Sequence, residues 1–91
     1  MHISPEIRQL VAQTLSGVAA RIRTLRQARG LSVQELAVRC DMERSNLSRI
    51  EAGRSNLTLR TLCVLSVMLD ADLQELLPAC STSREQSDEI L

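Results

Sequence analysis

A chain of 91 residues makes one small domain whose core is only marginally stable alone, so association with another chain is expected. It contains no Phe, Tyr or Trp, which removes the flat rings on which single-stranded nucleic-acid binders stack bases. Eleven basic and eleven acidic residues cancel, yet they are sorted: nine arginines face four acids between Arg21 and Arg60, and six acids face Arg84 alone from Asp70 onward. A neutral total thus conceals a basic middle and an acidic end.

All eleven basic residues are arginine. Its forked donors suit phosphates and guanine edges, although a codon bias produces the same composition. Cys40, Cys63 and Cys80 are odd in number and unpaired in spacing, and His2 is the lone histidine. Neither a disulfide framework nor a metal site is expected, and no cofactor motif is present. With no apolar run near ~18 residues and no signal pattern, the expected location is the cytoplasm, with reduced thiols and no membrane partner.

In chain order, Ser4 is a candidate N-cap ahead of Pro5 and Glu6, and Ile3, Ile7, Leu10, Val11 and Leu15 recur at helical spacing. This predicts an N-terminal helix with one apolar face. Ser16 and Gly17 interrupt it weakly; a second pattern follows, with Val18, Ile22 and Leu25 on one side and Arg21, Arg23, Arg26 and Arg29 on the others. Gly30 ends it. Whether these are two helices or one rod is open at this level. "SVQE" is a capping box from Ser32 to Glu35, followed by the stripe Val33, Leu36, Ala37 and Cys40. Asp41 and Met42 leave room only for a sharp corner.

The next helix, from about Arg44 to Ala52, carries only Leu47 and Ile50 as an inward stripe and closes at Gly53. Thr58 caps "LRTLCVLSVMLD", apolar almost all round, with Cys63 expected in the core beside Cys40. Asp72 and Glu75 open a last short helix that Pro78 halts, and the aperiodic "ACSTSREQSDEIL" reads as a flexible acidic tail. No strand is predicted. The expected division is residues 1–16 as an N-terminal helix, 17–78 as the main domain and 79–91 as a tail.

Two short helices joined by a tight corner, the second with a polar, arginine-bearing outer face, form a helix-turn-helix arrangement. In "RIRTLRQARGLSVQELA", "NLSRIEAGR" and "LTLRTLCVLSVML" the chain resembles the lambda repressor/Cro-like (XRE-type) DNA-binding domain over residues 18–77. The expected fold is therefore all-α: the five-helix lambda-repressor-like domain with an additional N-terminal helix. "ERSNLSRIE" and "SNLTLRTL" are further similar to the small controller proteins of restriction–modification systems.

The resemblance implies that the helix at Arg44 lies in a DNA major groove, its apolar stripe holding it from behind. Arg44, Ser45 and Arg49 would then meet base edges, with Asn46 near the rim, and Arg44 or Arg49 could grip a guanine bidentately. Arg54 and the amide of Val33 are placed for phosphates. The resemblance also implies an Arg26–Glu51 bridge that turns Arg26 toward the DNA backbone. Three positions depart from the family pattern. Val33 replaces a phosphate-contacting Gln, so that contact is either lost or moved to Gln34; Asp41 replaces Gly at the corner; and Glu43 replaces a Ser or Thr cap, where it suits the helix dipole and can accept from a cytosine amine.

One reading helix covers half a site, so the expectation is a homodimeric regulator on a near-palindromic double-stranded operator. Its dimer surface would be the apolar fourth helix with the last one, the N-terminal helix, or both. One terminal histidine and no Gly-rich loop argue against an enzyme. The rival reading is an antitoxin or adaptor that uses the same fold to bind protein, with the acidic tail as a contact.

Overall fold

The computed structural model describes residues 3–78, and within them the protein is all helical: α1 (Pro5–Ala28), α2 (Val33–Arg39), α3 (Arg44–Glu51), α4 (Leu59–Met68) and α5 (Leu73–Leu76). The expected tail, residues 79–91, lies outside the described residues, as do His2 and Cys80.

α1 settles the point that periodicity left open. The N-terminal segment and the first helix of the domain are one rod of 24 residues, so the additional N-terminal helix is an extension of α1 rather than a separate element. Its start is fixed by Ser4, whose Oγ accepts from the Ile7 amide at 3.2 Å, with Pro5 in the first turn. Gly17, which read as a weak break, is instead a place of close approach. A Cβ there would sit 2.5 Å from the Pro78 ring, so its missing side chain lets the end of the domain lie on α1.

The core is aliphatic. Ile22 from α1, Leu36 from α2, Leu47 from α3, Leu65 and Leu69 from α4 and its cap, and Leu76 from α5 are fully enclosed. α1 packs on α3 and α5, α2 on α3, and α4 on α5. On α4 the inward positions are Leu62, Leu65 and Ser66, followed by the cap Leu69. Cys63 falls outside that set and is exposed, which corrects its expected place in the core. An almost uniformly apolar helix has no periodicity from which its inward side can be chosen. Cys40 is buried as expected, and that burial raises its thiol pKa, leaving it largely protonated and unreactive.

Helix ends are closed by two devices. After α2 the amide of Asp41 donates to Val38 and that of Met42 to Ala37, a Schellman closure with Asp41 at φ 55°. The family's glycine is replaced by a residue that tolerates this left-handed conformation better than most, and the corner forms. The second device is arginine. Arg21 Nε donates to the Glu75 carbonyl at 2.8 Å, Arg29 to the Asp70 carbonyl at 3.0 Å, and Arg23 to the Glu51 carbonyl. Cations from α1 and its cap thus meet the negative carbonyl ends of α5, α4 and α3.

Arg26 makes the most extensive of these links. Its Nε lies 2.7 Å from Glu51 Oε2, another nitrogen 3.0 Å from Oε1, and the third donates to the Leu31 carbonyl at 2.8 Å. The two side chains are only 12% and 7% exposed. The predicted pair is present, but its guanidinium is drawn inward on all three nitrogens and is not turned out toward a phosphate. Arg26→Met should therefore lower stability by about 3–5 kcal/mol by stranding a buried carboxylate, whereas Arg26→Met with Glu51→Leu should recover most of that loss. Urea unfolding of the two variants checks both values.

Candidate nucleic-acid interface

α3 is held by very little. Leu47 is wholly buried and Ile50 is 3% exposed, with Glu51 beside them on the same side. At 3.6 residues per turn the side opposite that stripe is centred on Ser45 and Arg49, and both are exposed. Arg44 lies on one flank, also exposed. Asn46 lies on the other, half-buried, its amide 3.9 Å from the Met42 sulfur. Ser45 and Arg49 therefore share the centre of the outer face with Asn46 at its rim, while Arg44, seven residues before Glu51, stands exposed at the first turn on the flank nearer the buried side. Ser48 belongs with them, one turn from Arg44 and Ser45, and is exposed; the same spacing that selected Ser45 and Arg49 could have found it.

Glu43 occupies the N-cap with extended backbone and makes no side-chain capping bond. Its exposed carboxylate is left to act as a free charge at the positive end of α3. The amides of Arg44 and Ser45 have no acceptor among the described residues. At α2, Ser32 Oγ accepts from the Glu35 amide at 3.0 Å while Glu35 accepts from the Ser32 amide at 2.8 Å. That second bond holds the Glu35 carboxyl below the ordinary glutamate range. Val33 packs its side chain toward the core and Gln34 is exposed, so the start of α2 presents the Val33 amide and the Gln34 side chain outward together.

The structure divides the basic residues in a way that counting along the chain does not. Arg21, Arg23, Arg26 and Arg29 are tied to the protein's own oxygens. Arg39, Arg44, Arg49, Arg54 and Arg60 are exposed, and their side chains make no hydrogen bond or ion pair among the described residues. Arg54 follows Gly53, and its amide donates to the Arg49 carbonyl at 3.0 Å, which fixes the backbone where the chain leaves α3. Arg39 and Arg60 line a groove of about 460 Å³ together with Asn46. The sequence singles out neither Arg39 nor Arg60; their placement beside α3 depends on how α2 and α4 pack. Among the described residues no group of His, Cys, Asp and Glu is arranged to hold a metal ion, and no helix is long and apolar enough to cross a membrane.

A family model described as a helix-turn-helix domain matches residues 18–79. Among solved structures, the restriction–modification controller protein C.AhdI from Aeromonas hydrophila is 35% identical, with 68% of this chain and 94% of that chain covered and a TM-score of 0.66. A transcriptional regulator from Vibrio cholerae is 29% identical over 72% of this chain and 37% of its own, with a TM-score of 0.69. The controller protein C.Esp1396I, solved as a tetramer with its natural 35 base-pair operator, is 26% identical over 68% and 92%, with a TM-score of 0.61. No curated protein matches the chain.

Because α3 lacks a side-chain cap, Glu43→Ser should stabilise the domain by about 0.5–1 kcal/mol through a new bond to an early amide of the helix. Thermal unfolding at neutral pH measures this.

Proposed function

The chain belongs to the lambda repressor/Cro-like (XRE-type) helix-turn-helix family, and on that premise we propose that it is a sequence-specific regulator of transcription that reads double-stranded DNA with α3. The observation that carries this reading is the one-sided burial of α3. Its apolar stripe is enclosed while Ser45, Arg49 and Arg44 stand in solvent with no partner in the described chain. A helix so mounted fits a major groove, whose width accepts one helix and whose edges present acceptors to arginine.

In this reading Arg44, Ser45, Asn46 and Arg49 contact base edges, with Glu43 accepting from a cytosine amine at the start of the helix. Arg54, the Val33 amide and the Gln34 side chain hold phosphates. Arg39 and Arg60, which border Asn46, add further phosphate contacts. Arg26 has a different part: it holds Glu51, and with it the far end of α3, at a fixed distance from α1. Residues 17–78 constitute the DNA-binding unit, the protein acts in the cytoplasm and it carries out no catalysis. The operator complex of C.Esp1396I supports duplex DNA as the partner.

The acting unit is a homodimer on a near-palindromic operator, because a single α3 reads too few base pairs to select a site in a genome. We assign the dimer contact to α4. Leu59 and Val67 are 75% and 71% exposed, and with Cys63 between them they form a stripe at four-residue steps along one face. Such a stripe is out of place on an isolated small domain.

Arg49→Ala should relax preference at one base pair, with a loss of about 1–3 kcal/mol on the selected duplex and little on others. Arg54→Ala should weaken all duplexes alike and lower the salt slope by about one contact. Binding to a pool of random duplexes, selected and then titrated with salt, separates the two; equal behaviour of both variants would refute the assignment, and salt-insensitive or absent binding would favour the protein-binding alternative. For the dimer, Val67→Glu should yield a folded monomer by sedimentation at micromolar concentration, where the parent is dimeric.

A further inference from the structure

The family match begins at residue 18, while α1 begins at Pro5. About half of the longest helix is thus an addition to the domain, and it is not a polar handle. Beyond the positions buried at Val18, Ile22 and Leu25, apolar residues continue along the outer half of α1 at Val11, Leu10 and Ile7, on a face turned part of the way round from the buried one, with Ile3 just ahead of the Ser4 cap. Ile7 and Leu10 are 54% and 53% exposed, with Ile3 and Val11 close behind. Ile7, Leu10, Thr14 and Gly17 alternate steps of three and four, the spacing of a helix-pairing seam. The seam ends where Pro78 occupies Gly17.

Three features define what covers it. The added segment is preformed, with its cap bonded at Ser4. Its one polar seam position, Thr14, already donates its hydroxyl to the Leu10 carbonyl at 2.7 Å, so pairing buries no orphan hydroxyl. Its charged residues are Glu6 and Arg8, and none follows until Arg21. Such a segment has no basic face for anionic lipid or phosphate, and no net charge to repel its own copy. Where the rod meets the domain, Leu10, Val11, Thr14 and Leu15 overhang Asn56 and Leu57 to form an apolar groove of about 430 Å³.

We propose that the outer half of α1 is a second self-association surface, occupied by the same segment of another copy running antiparallel. In that arrangement Ile7 lies against Leu10 of the other copy, and the other copy's Ile3 end fills the groove at Leu57. Opposed helix directions also align the dipoles favourably. Two such segments offer a few hundred Å² each, well under the ~1,200 Å² of a stable free-standing interface. The seam therefore joins copies that are already close, so that dimers held elsewhere assemble into tetramers.

This inference rests on the dimer reading above for the size of the assembly, but not on DNA binding. Sedimentation equilibrium of the full chain should give a dimer passing to a tetramer at tens of micromolar. Ile7→Glu and Leu10→Glu, both at exposed positions, should keep the dimer and weaken the tetramer by about tenfold or more. In a Val67→Glu background, monomeric at micromolar concentration, a weak α1-dependent dimer should appear only at about a hundredfold higher concentration, where Ile7→Glu abolishes it; its appearance, even if duplex binding proves absent, would separate the seam from the functional reading. With Cys63→Ser and Cys80→Ser in both chains, a mixture of Ile7→Cys and Leu10→Cys proteins should form the mixed disulfide faster than either homodisulfide. Assembly unchanged by both glutamate variants, a parent with no step beyond the dimer, or parent binding to phosphatidylcholine–phosphatidylglycerol vesicles that Ile7→Glu abolishes would each overturn the proposal.

Discussion

The Arg26–Glu51 pair sets the position of everything that α3 presents. α3 has eight residues and only two large apolar ones facing inward, too small a stripe to define its tilt by packing alone. The bidentate contact at 2.7 and 3.0 Å fastens its last turn to the long helix, and Arg23, bonded to the Glu51 carbonyl, fastens the backbone at the same point. A planar guanidinium constrains direction as well as distance. Because both side chains are nearly enclosed, the pair adds little net stability compared with apolar packing, but its geometry is hard to vary. That is what a reading helix needs: outward residues whose place is decided from behind.

A chain with arginine as its sole cation uses it in two unlike ways. Four of the nine arginines between residues 21 and 60 come from α1 and its cap and meet oxygens of other elements. They act as cross-links between helix ends, where several donors on one side chain reach carbonyls that a helix leaves unsatisfied. The side chains of the other five, on α2, α3, the segment after α3, and α4, are exposed and unpaired among the described residues. A basic stretch in sequence is therefore not a basic surface of the same size. The free set is smaller than the count suggests, and it is concentrated around α3.

The apolar residues show a matching division. A core assembled without aromatic rings fills with Leu, Ile, Val and Ala, and thirteen apolar side chains form its buried cluster. Beyond it lie two separate apolar stripes, one on α4 and one on the outer half of α1. They point to association rather than to loose packing, since the helices bearing them are capped and regular. Small domains of this kind commonly complete their burial in a partner.

Much of this was legible in the residues. The capping box at Ser32, the Ser4 and Thr58 caps, the stripe of α2 and the two inward positions of α3 follow from periods of three and four and from short-range hydrogen bonding, which depend on neighbours in the chain. Asp41 could be read as a strained corner for the same reason. The side of α4 that faces inward was not legible: an almost wholly apolar helix is consistent with several rotations, and only its packing on α5 and into the shared core selects Leu62 and Leu65 over Cys63. Nor could sequence join the two halves of α1 across Ser16 and Gly17, since a mid-helix glycine is tolerated when something, here Pro78, occupies the space it leaves. The direction of Arg26, and the separation of arginines that brace helix ends from those left free, likewise belong to tertiary structure. Their partners lie from 5 to 54 residues away along the chain, and a guanidinium's role is set by whichever oxygen the fold brings within its reach.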